Sequence, residues 1–360
     1  MSSLADAYLR WAELEARGSS SCYEEWARSM AADPDVLALV ERLPRSRRQP
    51  NLVFAAARAA GAPVGRYVEL RPWILAHWPS VEAVALARST QTNEPARCAV
   101  LLPALARLDG PLALVEVGAS AGLCLLPDRY SYRYATPDGT VSLDPASGPS
   151  HVVLDCRAPD AALVPARLPD VVWRAGLDLN PLDVTEADDV DWLRTLVWPE
   201  HEGRRRRLDA ACALAAADPP RVVRGDLLDD LDGVLRGAPA DAHVVVFHSA
   251  VLAYVDESRR ERFVARMQEL DGTWIANEGV RVLPASRSLP DDGRFVLSVN
   301  GEPVARTDPH GAGVWALGGA AASRPSTHGA GRPPLVDLGG DRRAACIRNT
   351  GYEFVGSVTR

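Results

Sequence analysis

The sequence predicts an α/β chain: a parallel sheet with helices on both faces, a helical N-terminal subdomain and an inserted β-hairpin unit. Three observations carry this. Residues 112–126 read as a strand buried on both faces, a glycine turn and the start of a short helix. Beyond them, apolar runs ending near Asp178, Asp226, His248 and Glu278 alternate with stretches at helical spacing. Ahead of them, residues 1–110 place their apolar side chains mostly at helical spacing.

In chain order, residues 4–17, 23–30, 36–43 and 52–60 predict helices, with Pro34 suited to the first turn of the third. Residues 73–78, edged by Pro72 and Pro79, predict a short connector. The polar stretch 89–97 precedes a helix over 98–108. Thr92 or Asn93 suits its cap and Pro95 its first turn; the same stretch also suits a polar lid over a ligand.

After the glycine turn, Pro127 stops the short helix, and Tyr130, Tyr132 and Tyr134 fall on one face of a strand. Such a stripe either packs or offers an aromatic face to a cation, with Tyr130 nearest the turn. Residues 128–165 read as the inserted hairpin unit, at the mouth of the site. A strand over 171–177 ends at Asp178. Helices follow over 185–198, where Thr185 and Asp188 resemble a capping box, and over 199–217, where the run 204–207 reads as a solvated face. The next strands end at Asp226 and at His248. Ser249 and Tyr254 follow the second, at the sheet edge where ligands bind. Asp256 caps a helix, a strand ends near Glu278, and Asn300-Gly301 turns a closing hairpin. Gly, Ala, Ser, Pro and Arg dominate from residue 318, which predicts a disordered tail over 318–360.

Composition excludes several functions. The 360 residues carry a net charge of −7, against nucleic-acid or membrane-surface binding. All 40 basic residues are arginine, so there is no Schiff-base or P-loop lysine. The six cysteines form no C-x-x-C pair, and no His and carboxylate cluster has metal spacing, so no metal is expected. With no transmembrane-length run and no signal pattern, the expected location is the cytoplasm and the expected partner a small molecule.

The turn itself points to a ligand class. Glu116 stands two residues before Gly118, and Ser120 replaces the middle glycine of a dinucleotide fingerprint. An acid there suits a cationic amine better than a pyrophosphate. Glu116-x-Gly118-x-x-x-Gly122 resembles motif I of class I S-adenosylmethionine (SAM) methyltransferases. That resemblance implies a Rossmann-like class I methyltransferase sheet and SAM as cofactor or sole substrate. Glu116, Gly118, Ala119, Ser120 and Gly122 would line it, Asp178 with Leu179 would hold the ribose, and Asp226 with Leu227 the adenine. Thr92 and Glu94 would close over it. Asp144, 28 residues after Glu116 where Asp178 lies 62 after it, is the rival for the ribose.

Further wording narrows the resemblance. Thr-Gln-Thr-Asn-Glu at 90–94, Val-Gly-Ala-Ser-Ala-Gly-Leu at 117–123, Leu-Val-Trp-Pro-Glu at 196–200, Val-Phe-His-Ser at 246–249 and Asp-Pro-His-Gly at 308–311 resemble the bacterial domain of unknown function 2332 over about residues 1–317. Some relatives resemble azetidine-2-carboxylate synthases, which cyclise SAM and release methylthioadenosine. Three functions follow. The first is methyl transfer to a small acceptor, assisted by His248 or Tyr254. The second is intramolecular cyclisation of SAM, with Asn93 and Tyr130 shaping the ligand. The third is SAM binding without turnover.

Overall fold

The computed structural model describes residues 3–91 and 93–318. A helical layer comes first. Helix α1 (Leu4–Trp11) starts at a capping box between Ser3 and Asp6 and runs into a π-helical turn, Ala12–Ala16. Helices α2 (Ser21–Ala31) and α3 (Pro34–Val40) are capped by Ser20 and Asp33. With α4 (Pro50–Ala59) and α5 (Tyr67–Ala87) they enclose their own core, including Tyr8, Trp26, Phe54 and Trp78.

Helix α5 corrects the predicted connector at 73–78. Leu70, Ile74, Trp78, Val81 and Ala85 form one buried stripe, while Pro72 and Pro79 face outward. The four large side chains of that stripe together contribute about 6–12 kcal/mol on burial, against about 6 kcal/mol for the two interior prolines. Tertiary burial overrides the local breakers.

Helix α6 (Arg97–Leu105) leaves the layer and packs on the sheet. Strand β1 (Pro111–Val117) follows, then a single 3-10 turn, Leu123–Leu125. The insertion comprises β2 (Ser131–Thr136), β3 (Gly139–Leu143) and β4 (Val153–Arg157). Strands β2 and β3 make the expected antiparallel hairpin, and β4 adds a parallel partner on its other edge.

The chain returns to the main sheet as β5 (Asp170–Asp178) and continues through α7 (Ala187–Leu196), α8 (Glu202–Ala216), β6 (Arg221–Arg224) and α9 (Leu231–Leu235). Next come β7 (His243–Ser249), α10 (Glu257–Gln268) and β8 (Thr273–Gly279), then β9 (Phe295–Val299), β10 (Glu302–Thr307) and β11 (Val314–Trp315). Asp256 caps α10 as expected, accepting from Arg259 N. At α7 the expected capping box is absent: Asp183, not Asp188, takes the Thr185 hydroxyl.

The spatial order is β6-β5-β1-β7-β8-β9-β10-β11. The first five strands are parallel and the last three alternate. From β1 the chain builds outward through β5 and β6, then crosses back to build β7 and β8 on the other side. The order therefore reverses between β1 and β7, where a crevice opens outside the carboxyl ends of an α/β sheet. Period-2 alternation separates two cores. Leu112, Leu114, Phe247 and Ile275 face α6, the tyrosine stripe and α8; Val115, Val117, Val246 and Trp274 face α9 and α10.

The helical layer is tied to the corner between α7 and α8. Glu200 accepts from Ser20 Oγ (2.6 Å), Ser21 Oγ (3.1 Å) and Cys22 N (2.9 Å). Arg58 donates to the carbonyls of Thr195 (2.9 Å) and Val197 (2.8 Å). These bonds fix the helical layer against that corner. Among the described residues, no helix is long and apolar enough to cross a membrane. The expectation of a disordered tail lies, from residue 319 on, outside the described residues.

Candidate functional site

Strand β1 ends in a turn that only this sequence pattern permits. Gly118, Ser120 and Gly122 have φ of +72°, +52° and +74°. A Cβ on Gly118 would stand 2.4 Å from Val251 Cγ2, and one on Gly122 2.7 Å from Pro220 Cγ. Both glycines are required by conformation and by space. Ser120 carries the strain of a left-handed non-glycine residue, a feature that concentrates at functional sites. A second such residue, Ala250 at φ +59°, follows β7 directly across the crevice.

Two side chains hold the turn. Asn93 Nδ2 donates to Ala119 O (3.3 Å), and Asn93 Oδ1 accepts from Leu123 N (3.0 Å). Asp178 Oδ2 accepts from Ser120 N (2.8 Å), while its Oδ1 accepts from Asn180 N (2.7 Å) and Gln91 Nε2 (3.2 Å). Asp178 thus anchors the turn and keeps acceptor capacity on Oδ2. Asp144, the rival, lies in the insertion and accepts from Ser131 Oγ (2.5 Å) and Arg133 Nη2 (2.9 Å).

Three polar atoms around this turn are buried without a partner: Glu116 Oε2, Ser120 Oγ and Gln91 Oε1. Such atoms cost about 1–3 kcal/mol each if left unsatisfied. Burial pushes the Glu116 carboxyl well above its usual range; Cys124 and Asp178 add to this and Arg97 opposes it. The turn therefore keeps three buried polar atoms without partners, one of them on a carboxyl that burial holds uncharged.

The opposite wall corrects the reading of His248 as a free base. His248 is fully buried; its Nδ1–H donates to Glu278 Oε1 (2.7 Å), and its Nε2 accepts from Trp274 Nε1–H (3.0 Å). Both ring nitrogens are consumed, so His248 orients Glu278 rather than transferring a proton. Glu278 Oε1 also accepts from Val251 N (2.8 Å) and Leu252 N (3.1 Å), and its Oε2 has no partner.

Tyr130 moves in the same direction. Its ring is wholly buried and its hydroxyl donates to Leu123 O (2.7 Å). Tyr132 and Tyr134 donate likewise to Pro127 O and Ala99 O, each at 2.6 Å. The stripe is core, and Tyr130 offers no open face to a sulfonium. The polar stretch before α6 is likewise tied into the chain. Glu94 is buried between Arg204 (2.7 Å) and Arg207 (2.9 Å). Burial works against its charge, but the two guanidinium groups hold its carboxyl below the usual range. Arg204 and Arg207, three apart, share an inward face, which corrects the reading of the whole run as solvated. Helix α6 has no side-chain cap. Thr92 lies outside the described residues.

Asp226 pairs with Arg259 beyond the end of β6, Leu227 is half-buried there, and Leu179 is exposed beyond the end of β5.

Arg97, His310 and Tyr254 lie beside this sheet edge. His310 is accessible to water yet surrounded by protein: burial and the charges of Arg204 and Arg97 push its ring down to about 3, so it is neutral at physiological pH. Gly311 seats it there, with φ +90° and a Cβ position 2.0 Å from Ala96 O. Arg97 bridges Pro309 O (3.0 Å) and Ser249 O (3.1 Å). Tyr254 is accessible over 77 % of its surface, yet enclosure pushes its hydroxyl up, with Arg97 opposing and Glu15 and Glu278 adding to the shift. Gln91, Arg97, Arg204 and Arg207 were not among the candidate site residues read from sequence. Gln91 and Arg97 lie with Glu94 in the polar stretch 89–97, which the sequence marked as a lid without singling them out.

A family model described as an uncharacterised protein conserved in bacteria, DUF2332, matches residues 5–315. The chain belongs to that family. No curated protein and no solved structure matches it. The motifs of this DUF2332 chain at 90–94, 117–123, 246–249 and 308–311 converge on the one crevice just described. Among the described residues no group of His, Cys, Asp or Glu could hold a metal ion.

Proposed function

We propose that the chain is a SAM-dependent enzyme that transfers a methyl group to a small molecule on a Rossmann-like class I methyltransferase sheet. The observation that carries the reading is the set of unpartnered buried polar atoms, Glu116 Oε2, Ser120 Oγ and Gln91 Oε1, at the point where strand order reverses.

Each fits a part of SAM. Glu116, held uncharged by burial, suits an ammonium that would restore its charge. Asp178 Oδ2 has room for one further hydrogen bond, and Gln91 Oε1 beside it is free to accept another. Together they match the two donors of a ribose diol. Asp226 and Leu227 stand beyond β6, where adenine would be read. When bound, SAM supplies a methyl group already activated on a sulfonium. The chain's own work is then to align the acceptor, exclude water and take up a proton. The helical layer tied to the corner at residues 195–200 would serve the second task. Intramolecular cyclisation has less support, because Tyr130 is packed in the core and Asn93 spans the turn.

Calorimetry of the full chain with SAM, in buffers of different ionisation enthalpy, tests this. Binding with release of a proton is expected, with the release lost in Glu116→Gln. No heat of binding at millimolar SAM would sink the reading. Tight binding, with no S-adenosylhomocysteine formed from any acceptor tried, would leave a binding module.

A further inference from the structure

A second cluster of unpartnered polar atoms lies at the other end of the sheet, among strands that the methyl-transfer reading does not use. Arg306 on β10 stands opposite Trp315 on β11 and opposite Val296 on β9. Residues opposite one another on antiparallel strands share a face, with Cβ atoms about 4.5–5.5 Å apart. Arg306 is only 3 % exposed, and its Nη2 donates to Asp292 Oδ1. Among the described residues its Nε and Nη1 have no partner, nor has the indole Nε1 of Trp315. Ser298 Oγ, two residues from Val296 and so on the same face, is unpartnered as well. Asp292 is shared. Its Oδ2 stands 3.7 Å from Arg294 Nε, and the Arg294 guanidinium lies 4.1 Å from the centre of the Trp315 ring. Gly313 leaves that ring its room, since a Cβ there would overlap it. Glu278, opposite Val296 in the same cross-strand row, is bonded to His248, Val251 and Leu252. Among the described residues it makes no ion pair with Arg306.

We propose that this cluster is a binding site for the carboxylate of a small organic acid. A buried charge is stable only when it is paired and hydrogen-bonded. Here two guanidinium groups share one carboxylate, which leaves one positive charge over. A single monoanion cancels it, whereas a phosphate dianion would overshoot. The free groups of Arg306 and Trp315 are all N–H donors, and donors without acceptors are what carboxylate oxygens satisfy. The Ser298 hydroxyl can donate beside them. Val296, buried on the same face, gives the carbon chain of the acid an apolar wall. Entry is from solvent, because Asp292 is exposed and Arg294 and Trp315 are half-buried. Strands β7, β8 and β9 separate β10 from β1, so the site is distinct from the glycine turn and does not rest on the SAM reading.

The test is NMR of the full chain labelled with nitrogen-15 and titrated with sodium acetate. Sodium chloride at equal ionic strength and ethylammonium chloride serve for comparison. One indole N–H resonance, identified by its absence in Trp315→Phe, is expected to move saturably with acetate and to stay in place with the other two. The dissociation constant of acetate should rise about tenfold in Arg306→Gln, through loss of charged hydrogen bonds. It should also rise in Arg294→Gln, which removes the surplus charge from the half-buried side and decides the matter if Arg306→Gln does not fold. Glu302→Gln, which alters an exposed acid on the same strand, should leave it unchanged. An indole resonance that ignores acetate or moves as far with chloride would overturn the site, and so would unchanged acetate affinity in the folded arginine variants. A lasting water cross-peak on that indole in saturating acetate would overturn it too, by giving the cluster to a bound water. Tighter binding of phosphate than of acetate would overturn the carboxylate class.

Discussion

The tyrosine stripe and the glycine turn lie within a few residues of each other and are finished in opposite ways. Tyr130, Tyr132 and Tyr134 are fully buried, and each hydroxyl donates to a backbone carbonyl. The turn at 118–122 is also buried, but it carries a left-handed serine and leaves Glu116 Oε2 and Ser120 Oγ without partners. A fold closes its polar groups wherever stability is the only demand. Strain and unpartnered buried polar atoms kept together are features that concentrate at functional sites. The sequence left the stripe open between packing and an aromatic face for a cation; its hydrogen bonds and burial make it packing.

The largest effect that would break this contrast lies in the stripe. Tyr132→Ala removes a wholly buried ring and is expected to lose about 3–5 kcal/mol in urea unfolding. SAM affinity should not change in the fraction that remains folded. A specific loss of binding there would return the stripe to the site.

The turn gives the next largest effect. Gly118→Ala places a methyl group at φ +72° and 2.4 Å from Val251 Cγ2. The left-handed backbone costs about 1–2 kcal/mol and the overlap about 1–3 kcal/mol more. The double variant with Val251→Ala should recover the second cost and keep the first. Recovery of nothing would mean that conformation alone explains the glycine.

Much of this was legible before the structure. The strand and turn at 112–126, the acids ending β5 and β6 and the hairpin at Asn300-Gly301 follow from short-range rules of period, turn chemistry and residue type. Errors arose where tertiary partners decide. Pro72 and Pro79 read as boundaries, because local propensity knows nothing of a buried stripe four residues apart. His248 read as a base, because its two partners, Trp274 and Glu278, come from another strand. Arg204 and Arg207 read as solvated, because Glu94 lies more than a hundred residues away.

The smallest effect tests the turn most directly, through pH. Burial raises the Glu116 carboxyl well above its ordinary range, with Cys124 contributing and Arg97 opposing. The native state therefore holds this proton more tightly than the unfolded chain does. As pH climbs past the usual carboxylate value, the unfolded state releases its proton first. From there up to the native value, stability falls with rising pH, by at most about 1.4 kcal/mol per pH unit from this one group. Below the unfolded value the contribution is complete and flat. Glu116→Gln mimics the protonated form and removes the slope. Urea unfolding at a series of pH values from 4 to 8 should show wild type losing ground steadily to the variant. A constant difference between the two would mean that Glu116 is ionised in the native chain, with a partner for Oε2 of its own. The turn would then be as closed as the stripe.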